Sequence, residues 1–198
     1  MSRNVEIKAR VKDLEFAKER ILHLNSELCK DSDPKTTVLN QEDVFYNLPN
    51  TSTGKLKFRK IEGFPPELIY YDREESTGPK LSTYHKCEVP ENLSVVLTKA
   101  LGTWGIVKKS RTLIMVGQTR VHFDNVEGLG CFVELEVVLK DDQTVEEGQC
   151  IAKNIMYCMG IEEIDLISIS YVNYKHPTIW TLTTKMRYEN VADETKVA

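Results

Sequence analysis

Basic residues recur at every second position in several short segments of the sequence. In KLKFR, Lys55, Lys57 and Arg59 alternate with apolar residues, and Lys109 and Arg111 repeat the spacing in KKSR. Because side chains at positions i and i+2 of a strand lie on the same face, each segment presents its cations together. Grouped Arg and Lys side chains are typical ligands of phosphate oxygens.

Carboxylates show the same two-residue spacing elsewhere. Glu134 and Glu136 alternate with apolar residues in FVELEVV, and Glu6 shares a strand face with Lys8 in NVEIKARV. Hard carboxylate oxygens are the ligands that Mg²⁺ and Mn²⁺ prefer. Cations for phosphate and carboxylates for a metal are the two requirements of a site for a metal-bound polyphosphate. The sequence has no GxxxxGK[ST] loop, so a P-loop site is excluded.

Two architectures could carry these charged faces. For any single strand, a charged face turned to solvent is the simpler interpretation. Here, however, Lys and Arg concentrate in some strands and paired Glu in others, and like charges at i and i+2 repel when nothing binds them. A closed or nearly closed antiparallel barrel would bring these faces together inside, with helices covering its apolar exterior. Such an interior must be wet, internally paired or occupied by a ligand.

The remaining pattern predicts helices between groups of strands. Asp13 is suited to cap a first helix, a second runs from about Pro90 to Leu101, and Thr144 begins a capping box that opens a third. The first helix has an apolar stripe of Leu14, Ala17, Ile21, Leu24 and Leu28. Predicted strands include QEDVFYNLP after a polar link, the hairpin KLKFRKI and ELIYYDREE, the segment KLSTYHKCEV, and three strands between 106 and 140.

Composition limits the classes of partner. The 198 residues include 41% hydrophobic and 28% charged residues and carry a net charge of −4, which argues against general binding to nucleic acid or to anionic membranes. We find no apolar run long enough to span a membrane and no signal peptide, and we expect a cytoplasmic protein. The five cysteines show no CxxC spacing and are expected to be reduced thiols.

Taken together, the motifs resemble the CYTH superfamily, also called triphosphate tunnel metalloenzymes, which includes class IV adenylyl cyclases and thiamine triphosphatases. The ExExK pattern of that family corresponds to NVEIK at residues 4–8. The other matching segments follow in the family's order: QEDVFY, GKLKFR, YYDR, GPKLSTY, KKSR, RVHFD, GCFVELE and ISYVNY. The resemblance extends from about residue 4 to residue 175. The surroundings of the motifs are closer to the class IV adenylyl cyclase-like branch.

The resemblance implies an α+β fold: an eight-stranded antiparallel β-barrel, or tunnel, with helices packed on its outside. We expect residues 1–180 to form this single domain and residues 181–198 to form a polar C-terminal tail. The bound molecule would be a small triphosphate, namely inorganic triphosphate, ATP or thiamine triphosphate. Both a monomer and a homodimer are compatible with the sequence.

The resemblance also implies roles for individual residues. Glu6, Glu134 and Glu136 would hold Mg²⁺ or Mn²⁺. Glu6, Lys8, Arg120 and Asp124 would form the catalytic group, in which Asp124 either supports a second metal or orients a basic side chain. The residues expected to bind substrate phosphates are Lys8, Lys55, Lys57, Arg59, Arg73, Lys80, Lys109, Arg111 and Arg120. Lys80 is expected at the tunnel mouth.

Asn4 departs from the family pattern because it stands where the first Glu of ExExK is expected. An amide oxygen carries no charge, which implies weaker metal binding or a single metal in place of two.

Three functions follow from the resemblance: a metal-dependent triphosphatase, a cyclase that converts ATP to cyclic AMP and pyrophosphate, and a non-catalytic polyphosphate- or nucleotide-binding protein. We favour the triphosphatase.

Overall fold

Among the residues that the structure describes, eight strands and four helices form the fold. The computed structural model describes residues 2–28, 36–49, 54–73 and 78–175. The strands are β1 (Ser2–Arg10), β2 (Thr36–Tyr46), β3 (Lys55–Ile61), β4 (Glu67–Arg73), β5 (Lys80–Glu88), β6 (Thr103–Val116), β7 (Thr119–Val126) and β8 (Gly130–Val138). The helices are α1 (Leu14–Leu28), α2 (Leu93–Leu101), α3 (Val145–Cys158) and α4 (Tyr171–Lys175).

The eight strands form one closed antiparallel barrel in the order β1-β5-β4-β3-β2-β6-β7-β8. Closure depends on β1, which pairs with β5 on one side and with β8 on the other. Val5 lies opposite Leu81 of β5 and opposite Val137 of β8. The predicted eight-stranded antiparallel barrel with outer helices is confirmed.

The barrel is apolar outside and charged inside. On β1, Val5, Ile7 and Ala9 are 0–2% exposed and belong to the main hydrophobic core. This core lies between the barrel wall and helices α1 and α3, which contribute Ile21 and Met156. Because successive strand residues point to opposite faces, the polar residues of β1 face the barrel interior.

Local sequence signals place the two core helices. Asp13 caps α1 by accepting a hydrogen bond from the Phe16 backbone N–H (2.9 Å). Thr144 and Glu147 form the predicted capping box at the start of α3. These caps satisfy backbone donors that the first helical turn leaves without partners, and so they define where each helix begins.

Helix α4 lies across one end of the barrel. Tyr171 and Val172 pack with Phe45 and Phe132, which face inward near the ends of β2 and β8. The chain that leads to α4 is held by β1, since the Ile167 backbone N–H donates to the Lys8 carbonyl (2.8 Å). One end of the tunnel is therefore closed by an aromatic cluster.

Two elements differ from the sequence prediction. Strand β2 begins at Thr36, inside the segment predicted as a polar link, because Thr36–Leu39 pairs with Arg111–Ile114 of β6. Helix α2 begins at Leu93 rather than Pro90, and its apolar residues are not buried: Val95 and Val96 are 60% and 59% exposed. Helix α2 lies against β2, but none of its residues is buried.

Several other predictions concern features outside the barrel wall. Within the described ranges no helix is both long and apolar enough to cross a membrane. Cys87, Cys131, Cys150 and Cys158 are free thiols, and Cys29 lies outside the described residues. The predicted tail, 181–198, also lies outside them.

Candidate active site in the barrel interior

The barrel encloses a cavity of about 220 Å³. All eight strands and α4 contribute to its wall. Its charged and polar lining residues are Asn4, Glu6, Lys8, Asp43, Lys57, Arg59, Glu67, Ser82, Lys86, Lys109, Arg111, Arg120, Glu134, Glu136 and Ser170. Basic and acidic groups from distant parts of the chain therefore converge on one enclosed space.

A first cationic group is built around Asp43 of β2. Arg59 donates to both carboxylate oxygens of Asp43, with Nε–Oδ1 at 2.8 Å and Nη2–Oδ2 at 3.0 Å. Lys57 Nζ lies 3.1 Å from Oδ2, and Gln41 also donates to this oxygen at 3.0 Å. Burial opposes ionisation of Asp43, but Arg59 and Lys57 outweigh it and hold the pKa far below its usual range. Asp43 is therefore an ionised clamp that orients two cations.

The pKa values of the two cations shift in opposite directions. Burial, together with the neighbouring Arg59, lowers the pKa of Lys57 to about 8, although Asp43 acts in the opposite direction. The pKa of Arg59 is raised, because Asp43 outweighs burial. Arg59 is thus permanently charged, whereas Lys57 can lose its proton in mildly alkaline solution.

A second cationic group repeats this arrangement around Asp124 of β7. Arg111 donates to both oxygens of Asp124, with Nε–Oδ1 at 2.6 Å and Nη2–Oδ2 at 2.7 Å, and Lys109 Nζ lies 2.8 Å from Oδ2. The hydroxyl of Tyr171 donates to the same oxygen at 3.1 Å. Burial raises the pKa of Tyr171 well above its usual value, so this hydroxyl keeps its proton. Each Lys-x-Arg segment is thus held by one buried aspartate on a neighbouring strand.

The predicted metal-binding carboxylates line the cavity on two adjacent strands. Glu6 of β1 lies directly opposite Glu136 of β8, and Lys8 lies opposite Glu134. Glu134 Oε2 accepts from Arg111 Nη2 at 2.5 Å, and its Oε1 lies 3.3 Å from Lys8 Nζ. The oxygens of Glu134 are therefore occupied by basic groups of the same cavity.

Glu136 forms an ion pair with Arg120 and lies close to His122. Its Oε2 accepts from Arg120 Nη1 at 3.0 Å and lies 3.4 Å from His122 Nε2. Burial, followed by the effect of Arg111, lowers the pKa of His122, so this imidazole is neutral near pH 7. His122 faces inward but does not line the cavity.

Lys8 and Lys109 lie over the ring of Tyr171. Lys8 Nζ is 3.9 Å from the ring centroid and Lys109 Nζ is 5.1 Å from it, on the inner side of the helix that closes the barrel. Ammonium groups at these distances are attracted to the face of an aromatic ring. Tyr171 thus contacts cations from both sides of the cavity.

The donor chemistry of the cavity fits Mg²⁺ or Mn²⁺. Glu6, Glu134 and Glu136 offer hard oxygen ligands from neighbouring strands, and the buried Oδ1 of Asn4 has no hydrogen-bond partner among the described residues. In the present arrangement, no three acidic, His or Cys side chains among the described residues are grouped so as to hold an ion. Binding a metal would require Glu134 and Glu136 to exchange their basic partners for the ion.

Most of the predicted site residues meet in the cavity. Those brought together are Glu6, Lys8, Lys57, Arg59, Lys109, Arg111, Arg120, Glu134 and Glu136, with Asp124 directly behind them. Lys55 is not among the lining residues; it lies further along β3, with Nζ 6.0 Å from the Tyr71 ring centroid. The side chains of Arg73 and Lys80 are outside the described ones, although the register places Lys80 opposite Glu6.

Sequence reasoning assigned no role to Asp43, which organises the first cationic group, whereas Tyr171 was expected to line the tunnel or to form a structural hydrogen bond. Asp43 belongs to a segment that matches the family, and its two-residue spacing from Gln41 and Phe45 places all three on the same face of β2, the inner one. In the structure Tyr171 lines the cavity, and its hydroxyl donates a hydrogen bond to Asp124.

Comparisons with known proteins agree with this architecture. A sequence model described as the CYTH domain matches residues 2–171. The chain therefore belongs to the CYTH domain family. No curated protein sequence matches it significantly.

Solved structures share the fold at low sequence identity. A protein from Pyrococcus horikoshii is 24% identical, with a TM-score of 0.72 over 86% of this chain and 98% of that one. A protein of Vibrio parahaemolyticus named as a candidate adenylate cyclase is 20% identical, with a TM-score of 0.65 over 85% and 94%. The mimivirus capping enzyme triphosphatase is 10% identical, with a TM-score of 0.52 over 80% and 89%. At these identities the similarity establishes the fold.

Proposed function

We propose that the protein is a divalent-metal-dependent hydrolase of inorganic or small organic triphosphates. The observation that carries this proposal is the convergence, in one enclosed cavity, of two clamped Lys-x-Arg groups and three carboxylates. The Lys and Arg side chains are suited to bind phosphate oxygens, and the carboxylates are suited to bind Mg²⁺ or Mn²⁺.

The cations would bind the triphosphate along its length. Lys57 and Arg59 are held on one side by Asp43, and Lys109 and Arg111 on the other by Asp124. Because both aspartates keep these side chains in fixed positions, little reorganisation is needed when phosphate oxygens arrive. Fixed positive charge of this kind stabilises the charge that develops on the transferred and leaving groups.

The carboxylate wall would complete the reaction site. Glu6, Glu134 and Glu136 would hold Mg²⁺ or Mn²⁺, which when bound supplies Lewis-acid polarisation of the phosphoryl oxygens. Arg120 and Lys8, released from Glu136 and Glu134, would then contact phosphate oxygens on this side.

Structural neighbours support a triphosphate as the bound molecule. One is named a capping enzyme triphosphatase, and another is named an RNA triphosphatase from Schizosaccharomyces pombe. The Vibrio neighbour, named a candidate adenylate cyclase, keeps a cyclase reaction as the competing outcome.

The products distinguish the possibilities. The protein is incubated with Mg²⁺ or Mn²⁺ and, separately, with inorganic triphosphate, ATP or thiamine triphosphate. Release of orthophosphate is the expected result. Cyclic AMP with pyrophosphate would instead establish a cyclase, and tight binding without product would establish a binding protein.

Removing the carboxylate charges tests the metal assignment. The double variant Glu134→Gln with Glu136→Gln should lose metal-dependent orthophosphate release by at least about 100-fold, since the ion loses two charged ligands. Glu127→Gln, at an exposed position outside the barrel, is the matched control and should retain full activity. Circular dichroism should show both variants folded. Undiminished turnover in the double variant would remove the metal assignment.

A further inference from the structure

Acidic and basic residues alternate on the inner faces of neighbouring strands. Asp124 of β7 holds the cations of β6, and Asp43 of β2 holds those of β3. The next two strands repeat this arrangement, because Glu67 Oε1 of β4 accepts a hydrogen bond from Lys86 Nζ of β5 at 2.6 Å. Both residues line the cavity. Lys86 is therefore a third basic group with an acidic partner on the neighbouring strand.

The exposure of the three basic groups increases stepwise. The side chains of Lys109 and Arg111 are 4% and 5% exposed. Those of Lys57 and Arg59 are 13% and 19% exposed. The side chain of Lys86 is 51% exposed, although it lines the same cavity. Lys86 is thus the outermost of the three groups.

Lys86 lies at the end of the barrel opposite α4. Helix α4 packs on Phe45, near the end of β2. Since neighbouring strands run in opposite directions, the end of β2 shares one end of the barrel with the end of β4 and the start of β5. Glu67 is the first residue of β4, and Lys86 lies two residues before the end of β5. A ligand that enters from solvent at this end meets Lys86 first.

Lys86 can exchange Glu67 for a phosphate at little cost. The ion pair is partly exposed, and solvent screens such pairs. Glu67 keeps a cation beside it after the exchange, because it lies directly opposite Arg59 in the β3–β4 register. A phosphate group carries more negative charge than one carboxylate and is the stronger partner for an ammonium group.

The strand registers place Lys86 next to the first cationic group. Lys57 of β3 and Lys86 of β5 both lie opposite Ile69 of β4. Two strands that flank a third are about 10 Å apart, and both lysines point into the same interior. An anion held by Lys57 therefore extends toward Lys86 when its chain is long enough.

We propose that Lys86 is the outermost phosphate-binding residue of the cavity and receives the fourth phosphate of a linear inorganic phosphate. This inference rests on the proposed function, because the first three phosphates would occupy the site described there. The two deeper basic groups bind the triphosphate portion, and Lys86 adds a contact that triphosphate does not reach. The cavity should therefore prefer tetraphosphate over triphosphate.

Isothermal titration calorimetry in EDTA, where metal-dependent hydrolysis does not proceed, measures the affinities for inorganic triphosphate and tetraphosphate. Wild type should bind tetraphosphate about tenfold more tightly, because one more charge-assisted contact forms. Lys86→Gln should reduce this ratio to about twofold and leave the triphosphate affinity within about twofold of wild type. Lys86→Arg, which keeps the charge, should preserve the ratio.

Lys60→Gln is the matched control for the lost charge. Lys60 forms an exposed ion pair with Glu91 outside the cavity, so the variant also breaks one Lys–Glu pair. Its ratio of affinities should remain at the wild-type value. A similar fall in Lys60→Gln and Lys86→Gln would mean that net charge explains the preference, and this would overturn the proposal.

Three further outcomes would also overturn it. The first is equal affinity of wild type for both anions, and the second is an unchanged ratio in Lys86→Gln. The third is an equal loss of affinity for both anions in Lys86→Gln, because Lys86 would then belong to the triphosphate site itself. Failure of the proposed function looks different. Wild type with Mg²⁺ or Mn²⁺ would release no orthophosphate from any of the three triphosphates, while the ratio in EDTA would still depend on Lys86.

Discussion

Lys57 holds its proton less tightly than an ordinary lysine. Its pKa is lowered from 10.5 to about 8, first by burial and then by Arg59. A bound triphosphate favours the charged ammonium, so binding near pH 8.5 should take up protons, and affinity should fall as the pH rises above about 8. The stability of the free protein changes with pH in the opposite direction to the affinity for triphosphate. Between pH 8 and 10.5 the unfolded state binds more protons than the folded state, so the free energy of unfolding increases with pH.

Isothermal titration calorimetry at pH 8.5 in two buffers of different ionisation enthalpy measures this uptake. Lys57→Arg should bind triphosphate with less proton uptake, because the guanidinium remains charged over this range. Lys108→Arg, on the exposed outer face, is the matched control and should behave as wild type. Equal uptake by wild type and Lys57→Arg would exclude Lys57 as the titrating group.

The pairings inside the cavity were beyond residue-level prediction. Alternation in the sequence was sufficient to place Lys57, Arg59, Lys109 and Arg111 on inner faces. It did not show that an aspartate on a neighbouring strand clamps each pair, since that depends on the register between β2 and β3 and between β6 and β7. Register is a property of two strands, whereas alternation is a property of one.

Helix α4 connects the closed end of the barrel to the second cationic group. Tyr171 joins the two, because its hydroxyl donates to Asp124 and its ring lies beneath Lys8 and Lys109. Tyr171→Phe should destabilise the fold by about 1.5–3 kcal/mol, the range for a buried hydrogen bond to a charged group. Tyr171→Leu should in addition weaken triphosphate binding, because the two ammonium groups lose the ring that positions them.

Thermal unfolding and triphosphate titration of both variants check these effects. Tyr174→Phe, on the same helix but outside the cavity lining, is the matched control for loss of a hydroxyl. Equal triphosphate affinity in wild type and Tyr171→Leu would show that the ring does not position the lysines.

At the scale of elements, the sequence predicted which segments form strands more accurately than it predicted where a strand begins or how a helix packs. The hairpin of β3 and β4 and the strands β6 to β8 follow the alternation of the sequence, and capping residues placed α1 and α3. Strand β2 extends further back than predicted because β6 offers it a partner over its whole length. No residue of α2 is buried, because burial requires a closely fitting surface on another element, and the sequence of one helix does not specify such a surface.

In the absence of a ligand, the acidic and basic side chains of the cavity pair with one another. Glu134 and Glu136 pair with Arg111, Lys8 and Arg120, so the groups proposed for metal and phosphate bind each other. A metal alone would leave the cations unpaired, and a triphosphate alone would leave the carboxylates unpaired, both of which are unfavourable in a buried site. Metal and triphosphate should therefore bind together more tightly than either does alone.

Glu136→Gln provides a direct test of this compensation. In the presence of EDTA the variant should bind inorganic triphosphate about tenfold more tightly than wild type, because Arg120 no longer has its carboxylate partner. Glu127→Gln makes the same change in net charge on the outer surface and should have no effect. Affinity that is unchanged or weaker in Glu136→Gln would show that the internal ion pairs do not compete with the triphosphate.

The place of β1 in the closed barrel has a consequence for how the protein is made. Strand β1 is synthesised before both of its partners, β5 and β8, so its pairing with β8 cannot be completed until Val138 has been synthesised. Contacts between such distant parts of a chain form slowly, because a long loop must close before they contribute stability. Until then β1 presents at least one unpaired edge together with an apolar face, and both features favour association with other chains.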